Sequence, residues 1–367
     1  MPLAAVIPEP NARVEVREFP APELELNSAV LAVELSEVCG TDVYLQRGLL
    51  AGVPYPLIPG HVSVGHLAKI RGQMNDVDGR SFREGDRVTF LDVHRTCNAC
   101  WYCLVAKATT RCPHRKVYGI TYGANDVLAG GWADQIYLKP GTRCIRLNAD
   151  AERFMAGGCA LPTALHAVER ADIAIGDTVL VLGSGPVGLN VIVLALMRGA
   201  LRVLCIGAPQ TRLEAALSVG AARVLNFKEH DQAERIDWLL ADGRLPDVTI
   251  EATGHPDAVV QAMRFTRDAG RVVIVGQYTD HGPVSRDVAF NPHLDLNRKH
   301  LDVRGCWGSD FSHFYRAEQL VSDSARGAAW AQLQSKLSRF GLSQANEALS
   351  AVASGEVLKA LIDPSFV

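Results

Sequence analysis

Apolar residues in the first third of the chain fall in short runs broken by glycine and proline. Ala29–Leu35, Leu67–Ile70 and Arg87–Leu91 read as strands. Gly40, Gly48, Gly52, Pro54, Pro56, Pro59 and Gly60 mark the loops between them. This portion is predicted to be β-rich. From Thr178 the pattern changes. Strand-like runs at Thr178–Leu182, Arg202–Ile206, Arg223–Phe227, Val248–Ala252, Arg271–Val275 and Asp302–Trp307 alternate with helical stretches. The helical stretches include one ending near Met197, one at Thr211–Val219 and one at Pro256–Thr266. Such alternation builds βαβ units and predicts an α/β region with a doubly wound parallel sheet. Beyond Phe311 the pattern is mixed again, with helical stretches at Gly327–Arg339 and Ser343–Ala353. No internal repeat or low-complexity segment interrupts the chain.

Composition narrows the function. The 367 residues suffice for about two domains. A balance of 37 basic against 40 acidic residues, net −3, carries no basic footprint for nucleic acid or a membrane surface. The first ten residues, MPLAAVIPEP, lack the basic region of a secretory signal, so a cytoplasmic protein is expected. The uncharged run from Thr178 to Met197 is long enough to cross a bilayer. Gly183, Gly185, Pro186 and Gly188 in its first half instead predict a strand, a tight turn and a buried helix.

That turn reads Gly183-Ser184-Gly185-Pro186-Val187-Gly188 and follows an apolar strand. Gly183 permits the turn, Gly185 lets a pyrophosphate approach the backbone, and Gly188 lets helix and strand pack closely. The helix N-terminus then offers free N–H groups to phosphate. The motif predicts a dinucleotide site. The next strand ends at Gly207, where an NAD site usually carries an acid for the ribose hydroxyls. Ala208 and Pro209 supply no cation for a 2′-phosphate, and Arg212 is the nearest candidate. NAD and NADP both stay open.

Four of the nine cysteines, Cys97, Cys100, Cys103 and Cys112, fall in a C-x2-C-x2-C-x8-C pattern. Four thiolates on one short lobe close a tetrahedron around Zn2+ with no open position, which makes a structural site. An iron–sulfur cluster also accepts four cysteines, but nothing else in the chain points to electron transfer. His94 and His114 flank the lobe and read as loop residues.

Three further residues offer single ligands: Cys39 in Cys39-Gly-Thr-Asp42, His61 in Pro59-Gly-His61, and Cys159 before Ala-Leu-Pro-Thr163. With the cysteine lobe and the glycine turn in this order, the chain resembles a zinc-dependent alcohol dehydrogenase of the medium-chain dehydrogenase/reductase family. Arg212-Leu-Glu214 and Arg271-Val-Val-Ile-Val-Gly276 support the resemblance, which runs from about Leu26 to Asp363. It implies a GroES-like β-rich catalytic domain over 1–155, a Rossmann domain over 156–309, and a return to the catalytic domain over 310–367. It also implies a cleft for nicotinamide and substrate, and a homodimer or homotetramer. By the same resemblance Cys39, His61 and Cys159 hold a catalytic zinc, giving two zinc ions per chain. Thr41 takes the alcohol proton and Asp42 orients the ligand histidine.

Three departures stand out. Val62 replaces the glutamate that usually follows the ligand histidine. Tyr44 replaces a relay histidine, and a phenol of ordinary pKa near ~10 is a poor acceptor at neutral pH. The last spacing in the cysteine lobe is one residue longer than usual. Tyr44, Leu45, Leu49, Tyr55, Val93 and Trp307 are pocket candidates by family position, and lean toward a bulky apolar or ring-bearing alcohol. The expected function is an alcohol dehydrogenase or carbonyl reductase using NAD or NADP. The alternatives are a zinc-free quinone or enoyl reductase and a non-catalytic dinucleotide-binding protein on the same fold.

Overall fold

A long strand, Ser28–Val38, organises the first part of the chain in the computed structural model, which describes residues 1–125, 127–277 and 287–366. The chain forms two units: Met1–Cys159 with Asp310–Val367, and Ala160–Ser309.

In the first unit, Ser28–Val38 pairs antiparallel with Ser63–Arg71 along one edge. Along its other edge it pairs with Gln135–Leu138 near its start and with Lys359–Ile362 near its end. Arg87–Phe90 and Cys144–Arg146 extend the sheet on one side and Leu337–Phe340 on the other, giving seven strands. Apolar side chains from this sheet and from elements packed on it build core clusters. One centres on Leu31, Phe90, Tyr118 and Ile136, another on Leu35, Val62, Val64, Phe154 and Phe314. The helical expectation for Gly327–Arg339 holds only over Ala328–Gln334. Leu337–Phe340 is a strand, because parallel backbone pairing with Lys359–Ile362 overrides its local preference.

The second unit carries six parallel strands in the order Arg223–Asn226, Arg202–Gly207, Thr178–Leu182, Val248–Glu251, Arg271–Ile274, Asp302–Gly305. All five residues of Thr178–Leu182 are buried, as a strand covered on both faces requires. Leu180, Leu182, Leu204, Ile206, Phe265 and Val272 form one core cluster. The order reverses between Thr178–Leu182 and Val248–Glu251, the place where open parallel sheets bind ligands. Asp247 ties these two strands at their starts: its carboxylate accepts the Thr178 N–H at 2.8 Å and the Arg267 Nε–H at 2.6 Å. Among the described residues no helix is long and apolar enough to cross a membrane.

Candidate metal centres and dinucleotide turn

Three elements of the first unit bring Cys39, His61 and Cys159 together. Cys39 caps the helix Gly40–Gln46 at the end of the long strand. His61 follows the Pro59–Gly60 turn. Gly60 has φ +86°, and a Cβ there would lie 2.6 Å from Ser36 Oγ and from Trp132 Cδ1, so only glycine fits. Cys159 follows the helix Ala151–Gly157. Their ligand atoms lie within 4.8 Å of one another, with Cys39 Sγ 3.9 Å from His61 Nε2. Zinc at its usual ligand distances sets tetrahedral S–S and S–N edges at about 3.5–3.8 Å, so the trio fits after a small contraction. A fourth corner is left for another ligand.

The surroundings suit a cation. Asp42 is buried; its Oδ2 accepts the Cys39 N–H at 2.8 Å and its Oδ1 lies 3.9 Å from His61 Nδ1. That nitrogen is buried with no hydrogen-bond partner. The Cys159 thiol donates to Cys39, which holds the Cys39 sulfur well below the usual thiol range against the opposing effect of burial; His61 and the Thr41 hydroxyl add to the lowering. The same hydrogen bond pushes Cys159 well up. Burial alone would lower His61, yet the Cys39 thiolate and Asp42 outweigh it and raise the imidazole to about 10. Burial and the Cys39 charge push the Asp42 carboxyl up. Two sulfurs and an imidazole already sharing charge in this way are a ready soft donor set.

Sequence reasoning missed two residues here, Glu37 and Lys359. Both are buried, 2.9 Å apart, and both contact the turn carrying Cys159. The available signal was a charge inside an apolar strand: Glu37 two residues before Cys39, and Lys359 at the head of Lys-Ala-Leu-Ile362.

The four-cysteine lobe is also assembled. All four sulfurs lie within 4.8 Å of one another, with Cys97–Cys112 at 3.5 Å and Cys100–Cys103 at 3.6 Å. Backbone N–H groups point at sulfur: Cys97 N–H reaches Cys112 Sγ at 3.3 Å, and the Ala99 N–H draws Cys97 down to about 6. A single 3-10 turn, Thr109–Arg111, leads directly into Cys112. His94 is not a loop residue. It lies buried in the short strand Val93–Arg95, its ring held by the Tyr122 hydroxyl and the Pro140 carbonyl.

In the second unit the glycine turn follows the buried strand Thr178–Leu182. Gly183 has φ +108° and donates its N–H to the Ile206 carbonyl at 2.8 Å. Gly185 caps the helix Pro186–Arg198, with Pro186 at its first position. A Cβ on Gly188 would lie 1.9 Å from the Gly183 carbonyl oxygen, whereas one on Gly185 would meet nothing within 4 Å. A Cβ on Gly207 would lie 2.3 Å from Ser184 Oγ. Ser184 therefore excludes the usual acid from this position. Val187 lies in the first turn of the helix. Arg212 lies in the helix Gln210–Ser218, and burial lowers its guanidinium pKa.

Three pocket candidates are packing residues, one of them Val93, which packs against the Leu35 cluster. Leu45 is buried in a core cluster with Leu57 and Trp132, and Tyr55 packs against that cluster with its hydroxyl on the Leu45 carbonyl. Val62 is likewise core, beside Leu35 and Phe314.

Residues 26–149 match the alcohol dehydrogenase GroES-like domain family, and residues 186–323 the zinc-binding dehydrogenase family. A 5-exo-hydroxycamphor dehydrogenase of Pseudomonas putida is 31% identical over 98% of each chain. A sorbitol dehydrogenase of Bombyx mori is 29% identical over 95% of each. Among solved structures, an alcohol dehydrogenase from Thermotoga maritima superposes with TM-score 0.91 at 31% identity over 99% of both chains. A zinc-binding dehydrogenase from Sinorhizobium meliloti, bound to NADP, does so with TM-score 0.84 at 26% identity, again over 99% of both.

Proposed function

Because this chain belongs to the zinc-dependent alcohol dehydrogenases of the medium-chain dehydrogenase/reductase family, we propose that Cys39, His61 and Cys159 hold its catalytic zinc and Cys97, Cys100, Cys103 and Cys112 a structural one. The protein exchanges hydride between an alcohol and NAD(P). The observation that carries the assignment is the convergence of three ligands, distant in sequence, beside a buried carboxylate. Zinc bound there supplies Lewis acidity that makes a hydroxyl more acidic and polarises a carbonyl. NAD(P) supplies the hydride chemistry. The chain's own residues do the rest. Asp42 anchors the Cys39 backbone and faces His61, fixing both ligands. Thr41, whose hydroxyl bonds Cys39, is placed beside that ligand to pass on the alcohol proton. Burial raises Tyr44 above the ordinary phenol value, so its Oη keeps its proton at neutral pH and the relay ends in Thr41 or water. Elemental analysis is expected to give two zinc ions per chain, falling to one in Cys39→Ser. One zinc in both proteins refutes the assignment.

The cofactor proposed is NADP, held on Gly183, Ser184, Gly185, Pro186, Val187 and Gly188. Gly207 offers no carboxylate to repel a 2′-phosphate, Ser184 keeps that position free of any side chain, and Arg212 supplies a nearby cation. NADPH is expected to bind at least about ten-fold tighter than NADH, a difference of roughly 1.4 kcal/mol. The substrate proposed is a bulky apolar, ring-bearing alcohol. The aromatic and aliphatic character of Tyr44 and Leu49 supports it, as does the relative acting as a 5-exo-hydroxycamphor dehydrogenase. Turnover of a bicyclic secondary alcohol above sorbitol tests this, and the reverse preference refutes it. The protein is further proposed to be a cytoplasmic homo-oligomer.

A further inference from the structure

Glu37 is 2% exposed and Lys359 4% exposed, on antiparallel neighbouring strands. Their charged ends meet at 2.9 Å. A buried ion pair is tolerated only when its remaining hydrogen-bonding capacity is met. Here that capacity goes to the turn Gly157–Gly158–Cys159. Glu37 Oε2 accepts the Cys159 backbone N–H at 2.7 Å, and Lys359 Nζ donates to the Gly157 carbonyl at 3.1 Å. Glu37 Oε1 lies 3.4 Å from Cys159 Sγ. Gly158, between the two anchored residues, has φ +53°. A Cβ there would stand 2.1 Å from Glu37 Oε2 and 2.4 Å from Lys359 Nζ. Turn, acid and lysine therefore fit as one piece.

We propose that Glu37 and Lys359 form a charge-neutral clamp that positions Cys159 for metal binding, with Lys359 neutralising a carboxylate that would otherwise stand buried and unpaired beside the Cys159 turn. The inference rests on the reading of Cys39, His61 and Cys159 as zinc ligands. Both members of the clamp are positioning residues, since neither is a ligand. Glu37 fixes the backbone of Cys159 and keeps Lys359 in place. Lys359 pairs the Glu37 carboxylate, which as a lone buried charge would turn toward water and release the Cys159 backbone it holds.

Chelator competition for zinc, with the four-cysteine lobe as internal reference, tests the clamp. The thiolate-to-metal absorption of the cobalt-substituted protein reports the same site. Lys359→Met is expected to weaken zinc at the Cys39–His61–Cys159 site by about 10–100-fold, the usual cost of losing a group that orients a ligand, and to leave the lobe unchanged. Glu37→Gln keeps an acceptor for the Cys159 N–H and is expected to stay within about five-fold of wild type. The double variant Glu37→Gln/Lys359→Met, uncharged but with the acceptor kept, is expected to recover to the same range, with its cobalt absorption restored. A purely structural lysine makes the double variant as weak as Lys359→Met, which overturns the proposal, as does wild-type affinity in Lys359→Met. Should Lys359→Met not fold, the double variant decides alone: zinc within about five-fold of wild type supports the clamp, and a loss beyond about ten-fold overturns it. A wild-type protein that holds only the lobe zinc overturns the reading of the three ligands, and the clamp with it.

Discussion

Gly185 and Gly188 stand three residues apart in one turn, yet the same added methyl does different things at each. At Gly188 the new carbon lies 1.9 Å from the Gly183 carbonyl oxygen and 2.9 Å from its carbon. Ordinary contact begins near 3.4 Å, so the helix Pro186–Arg198 has to retreat from the turn by about 1.5 Å. That helix buries every residue from Gly188 to Ala195, so a retreat disturbs packing on all sides. Overpacking of this kind costs about 1–3 kcal/mol. At roughly 2–4 °C per kcal/mol, Gly188→Ala is expected to melt about 2–12 °C below wild type. At Gly185 the carbon meets nothing within 4 Å, and φ is −77°, an ordinary value for alanine. The stability cost is then no more than about 1 kcal/mol, the loss of a favourable helix cap. The methyl instead occupies the space over the helix N-terminus where a pyrophosphate approaches. Gly185→Ala is expected to weaken NADPH binding by at least about ten-fold while melting within about 4 °C of wild type. Thermal unfolding and NADPH fluorescence titration on both variants give the four numbers needed. Wild-type NADPH affinity in Gly185→Ala, or a wild-type melting temperature in Gly188→Ala, refutes the reasoning.

Three other outcomes follow from the described geometry. Burial raises the Asp247 carboxyl, but the Thr178 N–H and the Arg267 and Arg244 guanidinium groups outweigh it and leave the pKa lowered. A lowered folded pKa gives stability that is full above the unfolded value near ~4 and is lost as pH falls through the folded one. Asp247→Asn is expected to cost about 1–3 kcal/mol at neutral pH in denaturant unfolding, and to flatten the acid limb of the stability profile; an unchanged limb counts against it. Cys103→Ser removes one ligand from the lobe. It is expected to release one zinc, keep the other, and open the helix Trp101–Leu104 to proteolysis; equal protease resistance argues that metal does not hold the lobe. Gly207→Asp places a Cβ 2.3 Å from Ser184 Oγ, so it is expected to weaken both cofactors, NADPH by about ten-fold or more, without a gain for NADH. Improved NADH binding in that single variant contradicts the steric argument.

Much of the sheet in the second unit was legible because its central strands, Arg202–Gly207, Thr178–Leu182 and Val248–Glu251, are buried on both faces and read as largely apolar runs. Thr178–Leu182 begins and ends where the sequence places it, and the other strands differ by a residue or two. The cysteine lobe was legible from spacing alone. Cys39, His61 and Cys159 were not. Their spacing in sequence says nothing about proximity, and only the resemblance brought them together. Glu37 and Lys359 escaped because pairing across the sheet cannot be read from either strand singly. The helices Ala151–Gly157, Ala160–Ala171 and Gln232–Leu240 escaped as well. Their capping signals were present, Asp150 before the first and the Asp231–Glu234 pair at the last, but the apolar pattern was not followed through those segments.

The hydrogen bond from Lys359 to Gly157 joins residues 202 positions apart, and the strand that carries it lies close to the C-terminal end of the chain. A ribosome delivers Cys39, His61 and Cys159 long before it delivers that strand. A partly made chain therefore has all three proposed zinc ligands before the Glu37–Lys359 pair can form, while the four cysteines of the lobe, confined to one short segment, are complete almost at once. On the proposed assignment, metal loading during synthesis is ordered: the lobe can capture its zinc first, and the clamp on the Cys39–His61–Cys159 site closes only when Lys359–Ile362 joins the sheet.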